Sequence, residues 1–202
     1  PRDLAEIVET GFRDFWADEA RAGPGRMRLA QSRRTIVGET FERLKDRAPG
    51  LTPAFALEFA DRFHAHREGQ MAPFPGALET VQALKDRGIR LALVTNGAAE
   101  LQRPKVEKFD LEALLQHVQI EGEHGFGKPE PRAYLHAMER LGVGPEETWM
   151  VGDNLEWEVT APQKLGIHAI WHDHRGTGLP AGATARPDRI IRAVSDLLEV
   201  PA

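Results

Sequence analysis

Apolar positions near the start of the chain recur every three or four residues. Leu4, Ile7, Val8, Gly11, Phe12, Phe15 and Trp16 share one face and predict an amphipathic helix over residues 3–20. Arg21-Ala22-Gly23-Pro24-Gly25 reads as its break. Leu29, Ile36, Val37, Phe41 and Leu44 predict a second helix over residues 27–47, stopped by Ala48-Pro49-Gly50. Thr52-Pro53 supplies an N-cap followed by proline in the first turn. Phe55, Phe59 and Phe63 then recur every fourth residue along a third helix, 53–68. Residues 1–70 thus predict helices and no strand.

The pattern changes at Pro73-Phe74-Pro75-Gly76. Leu78, Val81 and Leu84 mark a helix that ends at Gly88, and 89–94 is a short apolar run that predicts a strand. A helix is predicted over 98–115, a strand over 117–120, and a helix over 131–141 with Tyr134, Met138 and Leu141 on one face. Residues 148–151 predict a buried strand, followed by a tight turn at Gly152-Asp153 and a helix start. A strand over 167–171 and a terminal helix over 190–198 complete the series. Strands alternating with helices imply βαβ units and a parallel sheet, so the expected fold class is α/β. The domain boundary is expected at 70–75.

Composition narrows the class. The chain is 41% apolar and 28% charged, enough to bury a core. A net charge of −5 argues against a nucleic-acid partner, which calls for a basic surplus. The absence of cysteine excludes a disulfide framework, a thiolate metal site and a thiol nucleophile, and fits a reducing compartment. No apolar run approaches the length of a membrane span. Pro1-Arg2-Asp3-Leu4-Ala5-Glu6 carries no signal-peptide pattern, and the cytoplasm is the expected location.

Chemistry in an open α/β sheet collects at the carboxyl ends of strands, and three such ends carry suitable residues. Thr95-Asn96-Gly97 offers a hydroxyl, an amide and backbone N–H groups, the donors an anion site needs. Gly125-Phe126-Gly127-Lys128-Pro129-Glu130-Pro131 holds a lysine, a compact charge suited to phosphate or carboxylate, on a stiff turn; a solvated surface lysine is the plainer reading. Gly152-Asp153 with Glu158 five residues on supplies oxygen ligands for a hard divalent cation such as Mg²⁺; an N-cap is the plainer reading of Asp153. Gly122 to Lys128 also fits the phosphate loop of nucleotide hydrolases, but Pro129 stands where the metal-binding hydroxyl belongs and removes a backbone N–H, so that reading is rejected.

In this order, Thr95-Asn96-Gly97, Lys128 within G-K-P-E-P, and Gly152-Asp153-x4-Glu158 resemble the second, third and fourth motifs of the haloacid dehalogenase superfamily of hydrolases. The resemblance implies a Rossmann-like core over residues 73–202 and a small all-helical cap domain over 1–72, inserted between the first and second motifs. It further implies a Mg²⁺-dependent phosphatase acting on a small phosphorylated metabolite through an aspartyl-phosphate. Thr95 would donate to a phosphoryl oxygen, with Asn96 and Gly97 beside it in substrate binding, and Asn96 would position nucleophile or substrate or else cap the next helix. Lys128 would neutralise charge on nucleophile and phosphoryl group. Asp153 would ligate Mg²⁺, and Glu158, where the family more often has aspartate, would ligate it or orient its water.

The family's first motif, D-x-D at the end of an apolar strand, supplies the nucleophile. Asp14, Asp18 and Asp61 lie on predicted helices, and Asp173 follows a strand at the wrong end of the chain. The family places that first strand between the strands bearing the second and fourth motifs, where its loss would leave backbone groups unpaired. An apolar strand ending in D-x-D is therefore expected ahead of Pro1. A 2-haloacid dehalogenase of the same fold and a binding protein without a nucleophile are the competing readings. The remaining candidates read more plainly. His64 and His66 do not share a helix face and are expected to be solvated. His172 and His174 flank Asp173 on an expected surface loop. Arg33-Arg34 are expected on a solvated face, or else meeting an anionic substrate. Trp16, Phe55, Phe59 and Phe63 are expected to pack the cap, and Trp157 to pack near the site mouth.

Overall fold

Residues up to Ala72 and from Pro73 onward form two separate units in the computed structural model, which describes residues 2–199. The side chain of Leu4, assigned above to the first apolar face, lies outside that description. The first unit holds four helices: α1 (Arg2–Ala17), α2 (Glu19–Met27), α3 (Leu29–Leu44) and α4 (Pro53–Gly69). Val37 and Phe41 of α3 bury themselves against Ala56 and Ala60 of α4, with Val8, Phe12, Leu51 and Phe59 packed around them. The small alanines let the two helices approach closely, and the phenylalanines fill the rest: Phe41 lies 5.9 Å from Phe55 and 5.7 Å from Phe59 between ring centroids. Thr52 caps α4 as expected, accepting from Phe55 N at 3.2 Å.

Two expectations in this unit are corrected. The Arg21–Gly25 stretch does not break a helix; it lies inside α2, and the breaks fall at Asp18 and Arg28. Asp18 is an effective N-cap, accepting from Ala20 N at 3.0 Å. Pro24 forfeits one helical bond, but Gly25 seats against Phe15, where a β-carbon would come within 2.9 Å of the ring, and its carbonyl accepts from Ser32 Oγ at 3.0 Å. Nor is Arg33 solvated. It is buried, its guanidinium bonded to His64 Nδ1 and 3.2 Å from Glu68 Oε1. Burial lowers its pKa, against the opposing pull of Glu68. Arg34 forms a two-pronged pair with Asp61 at 2.6 and 3.0 Å. Both arginines join α3 to α4.

The second unit alternates helices with parallel strands. In order these are α5 (Ala77–Asp86), β1 (Ala92–Thr95), α6 (Ala99–Lys108), α7 (Leu111–Leu114), β2 (His117–Ile120), α8 (Glu121–His124), α9 (Pro131–Leu141), a 3-10 turn (Pro145–Glu147), β3 (Trp149–Gly152), a π-helical turn (Glu156–Thr160), α10 (Ala161–Gln163), β4 (His168–His172), β5 (Arg189–Ile191) and a 3-10 helix (Val194–Glu199). The α/β class with parallel pairing holds. The strands form two sheets, β1–β2 and β3–β4–β5, and every pair is parallel. Thr95 aligns with Ile120, and Gly152 with Trp171, so candidate residues on each sheet lie at its carboxyl edge. Among the described residues β1 and β3 do not pair, and each keeps one edge of backbone groups outside the ladders.

Three element assignments differ from expectation. The strand expected at 89–94 begins only at Ala92, leaving Ile89 exposed. The helix expected over 98–115 divides at Asp110, a non-glycine residue with φ of 49°, a conformation α-helices exclude. The terminal helix over 190–198 is instead β5 followed by the 3-10 helix. Ile190 and Ile191 fit a helical face, but β4 presents an unpaired edge and two adjacent β-branched residues suit a strand. Ile191 is buried there with Ile170 and Leu197. Asp196 then accepts from Arg192 N and Ala193 N, at 2.9 and 3.1 Å, and closes the turn. His172, expected on a surface loop, ends β4 and is buried, with Phe74 edge-on at 5.0 Å. No helix among the described residues is long and apolar enough to cross a membrane.

Candidate active site

Three loops at the carboxyl ends of β1, β2 and β3 bring the sequence candidates together. Asn96, just past β1, clamps the backbone of Lys128 at both sides: its Nδ2 donates to Lys128 O at 2.6 Å, and its Oδ1 accepts from Lys128 N at 2.9 Å. The helix-cap alternative for Asn96 fails, because Ala98 is the N-cap of α6. Gly127 is required for this closeness. A β-carbon there would lie 2.8 Å from Asn96 Oδ1 and 2.8 Å from Glu121 Cδ. Gly122, the first glycine of the rejected phosphate-loop pattern, has a comparable packing role: a β-carbon would lie 2.4 Å from Ala99 N.

Lys128 is not a solvated surface lysine. It is buried, and its Nζ meets Glu158 Oε1 at 2.7 Å, the two side chains being 11% and 4% exposed. The other carboxylate oxygen of Glu158 accepts from Asn154 N at 2.7 Å. A buried ion pair is stable only when further hydrogen bonds support it, and Asn154 N–H supplies one to Glu158. The π-helical turn carries Glu158 back over the strand end, with Glu158 N donating to Asn154 O at 2.9 Å.

Asp153 occupies the turn between β3 and that segment. It is not the cap. Asn154 Oδ1 takes that part, accepting from Glu156 N and Trp157 N at 3.0 Å each. Trp171 Nε1 donates to Asp153 O at 2.9 Å and fixes the backbone. The Asp153 carboxylate itself is exposed and has no hydrogen-bond or ion-pair partner among the described residues. Trp157 is half-buried on the same turn, its carbonyl accepting from Tyr134 Oη at 2.5 Å. Burial, with Glu158 and Glu156 adding to it, pushes the Tyr134 phenol well above its ordinary pKa.

Thr95 has only a long contact, 3.5 Å from Oγ1 to Gln102 Oε1, which leaves its hydroxyl available. Gly97 differs from expectation. Its N–H donates to Glu121 Oε2 at 2.8 Å, so it is not an open anion donor. Glu121 is a site-edge residue that the sequence pattern did not single out, since a lone glutamate after a strand carries no signal. Asp173 also has a definite place, just past the end of β4. Gly178 N and Thr177 N donate to its carboxylate at 2.8 and 3.1 Å. Those bonds, Gly178's foremost, hold its pKa below the usual carboxylate range.

The first unit carries an apolar groove of about 760 Å³ lined by Phe12, Trp16, Phe59 and Phe63, with Arg33 and Arg67 at its sides. The aromatic residues expected simply to pack thus also form a surface.

Parallel α/β pairing with an exposed acid, a buried lysine–glutamate pair and an available hydroxyl beyond its strand ends defines the class as Rossmann-like. The chain belongs to the haloacid dehalogenase-like hydrolase family, whose model matches residues 2–166. It is 41% identical to a phosphoserine phosphatase of Thermus thermophilus over 75% of this chain and 58% of that protein. It is 31% identical to a glyceraldehyde 3-phosphate phosphatase of Methanopyrus kandleri over 62% of this chain and 52% of that protein. The chain therefore spans little more than half the length of these curated relatives. Among solved structures, a 2-haloacid dehalogenase of Pseudomonas syringae superposes with a TM-score of 0.59 at 26% identity, covering 97% of this chain and 78% of that one.

Proposed function

We propose that this chain forms most of a Mg²⁺-dependent phosphatase for a small phosphorylated metabolite. The observation that carries the reading is the separation of tasks between the loops that follow β2 and β3. Lys128 is buried and held by Glu158 and Asn96, while the neighbouring Asp153 carboxylate stands exposed and unpartnered. A hard cation takes one or two carboxylates plus substrate phosphate. Asp153 fits as the direct ligand. Glu158, with one lone-pair site on each oxygen already engaged, fits as the residue that ligates through its remaining capacity or orients metal-bound water. Mg²⁺ bound there would offset phosphoryl charge.

Phosphoryl transfer is mostly positioning and charge stabilisation, and the chain's residues divide that work. Thr95 Oγ1 donates to a phosphoryl oxygen. Lys128 Nζ keeps positive charge beside the nucleophile and phosphoryl group, with Glu158 fixing its direction. Asn96 positions Lys128 through the backbone, and Gly97 lines the substrate side. The nucleophile comes from an apolar strand ending in D-x-D that pairs with the open edges of β1 and β3 and forms the aspartyl-phosphate. The helical unit acts as the cap. The similarity to phosphatases that act on small phosphorylated compounds favours this chemistry over dehalogenation.

The test compares the chain alone with the chain extended by such a strand, using p-nitrophenyl phosphate. Turnover is expected only in the extended protein and only with Mg²⁺, stopping on addition of chelator. Chelator-insensitive halide release from a 2-halo acid would overturn the assignment in favour of a dehalogenase. Binding of phosphate esters without turnover in the extended protein would overturn it in favour of a binding protein.

A further inference from the structure

Three histidines outside the proposed active site converge where α8 and α9 meet β2. They are His117 at the start of β2, His124 at the end of α8 and His136 in α9. One ring nitrogen of each lies within 4.8 Å of the others', and the ring centroids are 5.2 to 5.9 Å apart. They stand 7 and 12 residues apart in sequence, a spacing that matches no metal motif. Only the fold assembles them.

The hydrogen bonds fix which nitrogen faces inward. His124 Nδ1 lies 3.1 Å from Ile120 O. A carbonyl only accepts, so Nδ1 carries the proton and Nε2 keeps its lone pair. For His136 the argument passes through Gln119. Gln119 Nε2 donates to Ala133 O at 2.9 Å, which orients the amide and leaves Oε1 as an acceptor. His136 Nδ1, 2.8 Å from that Oε1, is therefore the donor, and its Nε2 is again free. His117 Nε2 is buried and makes no hydrogen bond, an orphan among the described residues. Burial pushes the His117 imidazole pKa down, against a raising hydrogen bond that its ring donates to Gln119, while His136, His124 and Arg140 reinforce the lowering. Neutral imidazole is the ligating form. Metal-binding histidines characteristically give their second N–H to a carbonyl or similar acceptor, which sets tautomer and ring direction.

From this geometry we infer that His117, His124 and His136 form a binding site for a borderline divalent transition ion, Zn²⁺ foremost, through their Nε2 atoms. Three imidazoles and one water satisfy tetrahedral Zn²⁺ with bonds of about 2.0–2.1 Å. That geometry requires nitrogens about 3.4 Å apart, so the rings close inward slightly on binding. An all-imidazole set disfavours Mg²⁺, which takes oxygen ligands. His117 pairs in register with Ala92, three residues before Thr95, whereas His124 sits against the carbonyl of Ile120, level with Thr95, so the cluster runs along β2 to its carboxyl end. The ion would staple β2, α8 and α9 together. This inference is independent of the phosphatase reading.

The test is titration of the metal-free chain with Zn²⁺ and with Co²⁺, in excess Mg²⁺ to saturate oxygen-ligand sites. One ion per chain is expected, with the visible absorption of tetrahedral Co²⁺ and a rise in melting temperature. His124→Gln and His136→Gln should each weaken binding at least tenfold, Asp153→Asn should leave it unchanged, and Gln119→Leu should weaken it 10- to 100-fold through lost ring orientation. Should the variants misfold, peptide-resolved modification of the unaltered chain by diethyl pyrocarbonate decides the matter. Zn²⁺ is expected to protect His124 and His136 but not His66. Absence of a bound ion at tens of micromolar Zn²⁺, binding indifferent to the histidine variants, or protection no greater than at His66 would each overturn the site.

Discussion

A β-carbon on Gly152 would lie 2.1 Å from Cγ and 2.7 Å from Cδ of Glu158. The last residue of β3 is therefore glycine because a buried carboxylate folds back across it. The two residues are one device: bare backbone at 152 lets Glu158 reach Lys128 while Asp153 stays exposed.

Gly152→Ala is expected to displace Glu158, costing about 1–3 kcal/mol as other overpacked substitutions do. Urea denaturation reads the stability, and turnover of the strand-extended protein should fall in parallel. Unaltered stability and turnover would show that Glu158 has another position available.

Lys128→Ala leaves the Glu158 carboxylate buried beside an empty site, which should cost about 3–5 kcal/mol. Lys128→Met with Glu158→Gln removes both charges and should regain much of that stability. Turnover in either protein should be lower by on the order of 10²–10³. A double variant as unstable as the single one would mean that the pair's charges are not the source of the loss.

Asp153→Asn should behave differently. The carboxylate has no partner to lose, so the melting temperature should stay close to that of the unaltered chain, within about 0.5 kcal/mol of stability. Most Mg²⁺-dependent turnover should vanish in the extended protein. A large loss of stability would assign Asp153 a structural part instead.

Acid stability follows from Asp173. Its pKa in the folded chain is held below the ordinary value of about 3.9 by Gly178 N–H and Thr177 N–H. A depressed folded pKa contributes stability that is fully present above the unfolded value and is lost as pH falls through the folded one. Denaturation midpoints should thus decline below about pH 4. Asp173→Asn should lower the midpoint at neutral pH and flatten that decline. A variant with the same slope as the unaltered chain would remove Asp173 as a source of the pH dependence.

Periodicity and punctuation along the chain were enough to determine the helical first unit, the α/β class, and Thr95, Lys128 and Asp153 as residues at strand ends. Those features are local: an apolar run, a glycine and a polar residue leave their mark within a few positions. Tertiary structure decided what the residues touch. Lys128 is buried because Glu158 and Asn96 reach it from other segments, and Asp153 is free because Asn154 caps in its stead. Residues 189–191 are a strand because β4 has an edge to pair, a fact absent from their own helix-like spacing. The histidine cluster lies wholly beyond the reach of pattern. Its members come from a strand and two helices, and only packing through Gln119 turns their nitrogens toward one point.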